Sequence, residues 1–132
     1  TGKPTPILLK ISPDITPEQL ESTISVSQQL GIDGWVLTNT TTARENGTKF
    51  PKDGGVSGGP LSQKSKSILE EVIRILGPSR KDHLLVSCGG VMSSKDVFER
   101  LQMGADLVQV YSALVFSGPS FFRQVASQSE IS

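Results

Sequence analysis

Short apolar runs alternate with helically spaced segments along the whole of this chain. Residues 6–11 (PILLKI) form a first apolar run with one charge embedded, closed by Ser12, Pro13 and Asp14. Thr16, Pro17 and Glu18 then read as an N-cap, a proline at the first helical position and an early acid. The helix they predict carries Leu20, Ile24 and Leu30 on one face and stops at Gly31. Residues 34–38 (GWVLT) are the next buried strand, and a polar, Gly-rich loop runs from 39 to 60. A second helix over 61–76 places Ile68, Leu69, Val72, Ile73 and Leu76 on one face, with Gly77-Pro78 as its stop. The third unit is a strand at 83–88, a Gly89-Gly90 turn and a helix at 93–103. The fourth is a strand at 106–111, with Gly118-Pro119 opening a last short helix through about Ser127. Strands apolar on both faces and joined by helices belong to a parallel sheet covered by helices. The pattern therefore predicts an α/β fold of four parallel (β/α) units in one domain, residues 1–132, with no internal linker. Such units fit either a small open sheet or half of a (β/α)8 barrel, which needs about 250 residues.

Charge and cysteine content exclude several classes of function. Thirteen basic residues balance thirteen acidic ones, and no basic run exceeds Arg80-Lys81. Nucleic acids and acidic membranes recruit clustered positive charge, so neither is an expected partner. A single Cys88 and a single His83 supply neither a disulfide framework nor a zinc site. Five positions apart on one predicted strand, they face opposite sides, which excludes a Cys–His nucleophile pair. The first residues open directly onto a strand, so no targeting signal is expected in this chain. The longest apolar stretch, 107–116, falls far short of the ~20 residues a spanning helix needs. Glycosylation sequons at Asn39 and Asn46 are short patterns that require a secreted context not seen here.

Chemically distinctive groups stand at the carboxyl end of each predicted strand, the edge where parallel α/β folds bind ligands. Lys10 sits inside an apolar strand, where its ammonium must be paired or turned into a polar site. Thr38, Asn39 and Thr40 end the second strand with neutral donors and acceptors; the Asn amide suits an amide or imide ring edge. They equally suit turn chemistry. Residues 54–59 (GGVSGG) formally contain the G-x-S-x-G of serine hydrolases, but no strand precedes them and His83 is the only histidine. They predict instead a flexible loop that approaches a ligand closely, with Ser57 offering a hydroxyl. Gly89-Gly90 and Tyr111-Ser112 lie at consecutive strand–helix junctions, where barrels often hold phosphate on backbone N–H groups.

Read in order, residues 9–14 (LKISPD), 31–34 (GIDG), 38–41 (TNTT), 54–61 (GGVSGGPL), 89–91 (GGV), 104–105 (GA) and 108–112 (VQVYS) resemble the C-terminal half of dihydroorotate dehydrogenase, in its quinone-dependent class 2 form. The resemblance implies the last four units of a TIM barrel that holds FMN at the carboxyl ends of its strands. It implies that Lys10 and Thr38 contact the flavin, that Asn39 and Thr40 bond the pyrimidine substrate, and that Ser57 and Gly58 belong to the loop over the cofactor. Gly89, Gly90, Tyr111 and Ser112 would hold the FMN phosphate. The implied activity is oxidation of dihydroorotate to orotate, with quinone as acceptor, in pyrimidine biosynthesis. The serine base, the quinone site and the membrane-associated helices of that class are expected upstream, so no catalytic residue is assigned here, and Ser57 and Ser112 do not replace the base. The expected location is the mitochondrial inner membrane in a eukaryote or the cytoplasmic membrane in a bacterium. Two other readings are a flavin- or phosphate-binding half-barrel without activity and a related FMN barrel with another substrate. Alone, the chain is expected to hold FMN weakly and to turn over no dihydroorotate, because its sheet edges and interior face lack cover.

Overall fold

A computed structural model describes residues 4–44 and 50–129. The sequon at Asn46 therefore lies outside the described residues. Strands β1 (Leu8–Ile11), β2 (Gly34–Leu37), β3 (Leu84–Cys88) and β4 (Leu107–Gln109) form one four-stranded sheet in the order β1-β2-β3-β4. Every neighbouring pair is parallel, with Lys10 opposite Val36, Val36 opposite Val86, and Cys88 opposite Gln109. Helices α1 (Pro17–Gln29), α2 (Ser62–Leu76) and α3 (Ser94–Gln102) connect them, followed by α4 (Ser112–Ser117) and α5 (Ser120–Ser129).

The helix starts follow local chemistry. Thr16 caps α1 by accepting from the Gln19 N–H, and the Gln19 side chain returns a bond to the Thr16 N–H at 3.0 Å. Ser93 and Asp96 do the same for α3. Beyond α2, Gly77–Asp82 continues as a 3-10 segment, so the Gly77-Pro78 stop ends the α-helix without ending helical backbone.

Helices cover one face of the sheet. Ile11, Trp35, Leu37 and Leu85 meet Leu20 and Ile24 of α1 and Leu69, Val72 and Leu76 of α2, all at most 3% exposed. Burying each such side chain stabilises the fold by roughly 1.5–3 kcal/mol. The Trp35 indole N–H donates to Ser27 Oγ at 3.0 Å, and that hydroxyl donates to the Ile24 carbonyl, so the buried polar atoms are satisfied. A second cluster, Val91, Val97, Ala113 and Phe121, joins α3, α4 and α5. Alternating with the helix-facing set, Leu8, Lys10, Val36, Leu84 and Leu107 stay half-buried or exposed, Leu107 at 54%.

Two expectations need correction. Leu30 is 77% exposed, because α1 has already ended and the chain turns through Gly31. The fourth strand stops at Gln109 rather than Tyr111, and a short helix, α4, begins at Ser112 well before Gly118-Pro119.

Candidate functional site

The residues singled out from the sequence converge. Lys10, Thr38, Asn39, Thr40, Ser57, Gly58, Gly89, Gly90, Tyr111 and Ser112 all line a single cavity of about 190 Å³ at the carboxyl edge of the sheet. Leu61, Cys88, Val91 and Gln109 line it too. Parallel register explains the grouping: every strand ends at the same edge, and Lys10, Cys88 and Gln109 lie on the face without helices. Cys88 reads in the sequence only as a small strand residue and Gln109 as an interruption of an apolar run. Their spacing from Val86 and Leu107 places both on the inner face.

Each wall has its own support. On the first, the Lys10 ammonium has no hydrogen-bond or ion-pair partner among the described residues. On the second, Thr38 is 1% exposed; its N–H donates to the Cys88 carbonyl at 2.6 Å, and the Asn39 N–H donates to the Ile11 carbonyl at 2.8 Å. The Leu37–Thr38 peptide is cis. Asn39 Oδ1 accepts from the Thr40 N–H at 3.0 Å, so the turn role read from the sequence is realised. The amide NH2 of Asn39 stays free to donate among the described residues.

The loop after β2 is pinned rather than loose over its described residues. Thr41 and Val56 exchange backbone bonds at 3.1 and 2.7 Å. The Arg44 guanidinium donates to the carbonyls of Thr42, Pro51 and Gly54. A Cβ at Gly55 would stand 1.9 Å from Thr40 Oγ1, so the loop passes Thr40 at a distance only glycine permits. Asp14, just past β1, accepts from Thr41 Oγ1, from the Thr42 N–H at 2.7 Å, from Thr42 Oγ1 at 2.9 Å, and from Lys64 Nζ of α2. Burial alone would raise the pKa of this carboxyl. Lys64 and the threonine bonds outweigh it and hold the group well below the usual carboxylate range.

The third and fourth walls present backbone donors. Among the described residues, the N–H groups of Gly90, Val91 and Ser112 meet no acceptor. At α3, by contrast, the Met92 and Ser93 N–H groups already donate to the Asp96 carboxylate, at 3.0 and 2.9 Å. That helix start is closed by its own acid. Tyr111 gives α4 no side-chain cap, so among the described residues the N–H groups of Ser112 and Ala113 remain open, while that of Leu114 donates to the Tyr111 carbonyl at 3.0 Å. Ser112 Oγ donates to Ser57 Oγ at 3.1 Å, joining the long loop to this fourth junction. Together the walls offer one unpaired cation, an amide and several unpaired N–H donors, a set suited to a flat polar ligand with an anionic end.

Other chemistries fail on placement. His83 precedes β3, packs its ring 5.1 Å from that of Trp35 and sets Nδ1 2.9 Å from the Ser79 carbonyl, at the opposite end of the sheet from Ser57 and Cys88. Neither a serine hydrolase pair nor a Cys–His pair can form. Among the described residues no group of His, Cys, Asp and Glu is arranged to hold a metal. No described helix is long and apolar enough to cross a membrane.

Comparison with known proteins agrees with this architecture. A family model described as dihydroorotate dehydrogenase matches residues 2–131. A dihydroorotate dehydrogenase (quinone) of Paracidovorax citrulli is 37% identical over 131 residues, covering 96% of this chain and 36% of the relative. One from Thermus thermophilus is 42% identical over 125 residues, covering 92% of this chain and 35% of the relative. The crystal structure of ligand-free DHODH from Eimeria tenella matches with a TM-score of 0.86 at 29% identity, over 98% of this chain and 36% of that one. The chain thus spans little more than a third of the length of the proteins it matches. Its four parallel units are units of a TIM barrel rather than a free-standing open sheet.

Proposed function

This chain belongs to the dihydroorotate dehydrogenase family, and from that premise we propose that it forms the flavin-phosphate wall and part of the substrate wall of an enzyme oxidising dihydroorotate to orotate with FMN and quinone. The observation that carries the reading is the meeting of Lys10, Asn39, the Gly89-Gly90 turn and the open start of α4 in one cavity. The unpaired N–H groups of Gly90 and Ser112 fit the phosphate of FMN, and the unpaired ammonium of Lys10 fits a ring that gains negative charge.

Bound FMN supplies the acceptor for the hydride of dihydroorotate and a route for both electrons to quinone. This chain's own residues bind and orient. Lys10 stabilises negative charge beside it. Asn39 donates its free NH2 to a carbonyl of the pyrimidine, with the Thr40 hydroxyl as a second polar group. Thr38, buried and tied by its N–H to β3, keeps that pair in register with the third strand. Among the described residues, Ser57 and Ser112 bond each other and neither bonds a histidine or carboxylate, so neither is activated to take a proton. The serine base, the quinone site and the membrane contact belong to parts of the enzyme outside these residues. The complete enzyme accordingly works at the mitochondrial inner membrane or the bacterial cytoplasmic membrane.

The test is Lys10→Ala in the complete enzyme. Interactions that strengthen as charge develops act on the rate. Rapid mixing with dihydroorotate should therefore show flavin bleaching slowed by roughly tenfold or more, with orotate affinity changed far less. Bleaching at the wild-type rate would remove Lys10 from the flavin site and, with it, the reading.

A further inference from the structure

The turn at Gly89-Gly90 is held from behind by a side chain that never reaches the cavity. Arg100 lies on α3 and is 0% exposed. Its Nη1 donates to Ser87 Oγ at 2.8 Å, and its Nη2 donates to the Gly89 carbonyl at 2.8 Å, with the Ser62 carbonyl at 3.3 Å. Nε has no acceptor. Among the described residues no carboxylate touches the guanidinium: Asp96 is engaged in capping α3, and Glu99 pairs with Lys66 at 2.9 Å. A buried cation without a contacting anion is costly in water-excluded surroundings. An apolar residue of similar size would fill the same space without that cost, so packing alone does not account for arginine here.

What the guanidinium does is fix one peptide plane. The Gly89 carbonyl accepts twice, from Arg100 Nη2 and from Ser65 Oγ of α2 at 2.7 Å, and both donors belong to the helix layer. The peptide that follows is trans, because among the described residues only Leu37–Thr38 is cis. In a trans peptide the carbonyl and the next N–H point in opposite directions. With the Gly89 oxygen drawn into the helix layer, the Gly90 N–H is turned away from it, toward the cavity that Gly89 and Gly90 line. Both residues have positive φ, +103° and +71°, and two adjacent glycines leave this plane otherwise free to rotate. A rotated plane would offer a carbonyl oxygen to an anion in place of a donor.

We propose that Arg100 is a positioning residue for phosphate recognition. It clamps the Gly89 carbonyl on the helix side and so presents the Gly90 N–H to the phosphate of the ligand. This rests on the FMN-phosphate part of the function proposed above. It also accounts for arginine over lysine, since only the fork of two terminal nitrogens reaches Ser87 and Gly89 together.

The experiment compares FMN with riboflavin, which has the same ring system and no phosphate, by equilibrium titration of the complete apoenzyme. Arg100→Met should weaken FMN binding about tenfold or more, the size of one hydrogen bond to a charged group, and leave riboflavin binding unchanged. Ser65→Ala, which removes the second bond to the same carbonyl and no charge, should weaken FMN by a smaller factor with the same selectivity. It keeps the test open if Arg100→Met does not fold. Equal loss of both ligands in the folded variants would make the clamp structural only and overturn the proposal. So would FMN affinity unchanged in both. If the wild-type apoenzyme binds FMN no more tightly than riboflavin, the phosphate reading itself falls, and that result is distinct from either of the others.

Discussion

Asp14→Ala removes a carboxylate that ties together three segments distant in sequence: the end of β1, the loop after β2 and the first turns of α2. Its cost can be built from its partners. The Thr42 N–H loses a charge-assisted bond of 2.7 Å, a type that contributes about 1.5–3 kcal/mol. Thr41, 6% exposed, is left with a buried hydroxyl that has lost its acceptor, at about 1–3 kcal/mol. Lys64 is 40% exposed, so its ion pair adds only ~0–1 kcal/mol. These bonds share one atom group and are not additive, and water reaches Thr42; a net loss of about 2–4 kcal/mol follows. Urea denaturation at neutral pH measures it. The pH dependence provides an independent check with a fixed sign. The folded pKa of Asp14 is depressed, so its contribution is complete above the unfolded value of about 3.9 and is lost as pH falls from there toward the folded value. The stability gap between wild type and Asp14→Asn should therefore be flat from pH 7 to about 5 and shrink below that. A gap that stays constant down to pH 3, or an Asp14→Ala variant within about 0.5 kcal/mol of wild type, would refute the reasoning.

Two further outcomes follow from the site. Asn39→Ala in the complete enzyme should weaken orotate by ~1–3 kcal/mol, since a ligand carbonyl loses its donor; titration at wild-type affinity would leave Asn39 only its bond to the Thr40 N–H. Gly90→Ala should lower the melting temperature markedly, because the added Cβ would meet the Ser62 backbone at 2.3 Å at a φ of +71°; an unchanged melt would show that α2 gives way at its start.

Strand positions and the polar groups at their carboxyl ends were legible because each strand is a short apolar run interrupted or ended by one chemically odd residue. Lys10, the Thr38-Asn39-Thr40 run and the glycine pairs stand out on that ground, and parallel register then brings them to one edge. Other features depend on tertiary placement. Residues 106–111 read as one strand, yet only Leu107–Gln109 pairs with β3, and the chain then turns into α4, whose Ala113 packs beside Phe121. Arg100 carries no local signal, since a charged residue at that point of an amphipathic helix normally faces water. Its burial arises because α3 lies against the start of α2 and the end of β3 together. The loop over 39–60 looks unstructured by composition, and the order of its described residues depends on Asp14 and Arg44, whose partners lie far away in sequence or on the loop's own carbonyls.

Gly55 touches nothing that reacts, yet its freedom to vary is set by its neighbour. While position 40 carries any side chain, position 55 admits no Cβ, because one would lie 1.9 Å from the Thr40 hydroxyl and 2.5 Å from the Thr40 Cβ. The reverse does not hold: shrinking residue 40 forces nothing on position 55 and opens space beside it, though it also removes the hydroxyl assigned above to the substrate. Mutational paths through this pair therefore have a direction. A library that randomises 55 alone should return glycine, whereas one that first sets 40 to glycine should accept small residues at 55. The order of substitution, rather than either residue's own chemistry, decides which sequences this corner of the barrel can reach.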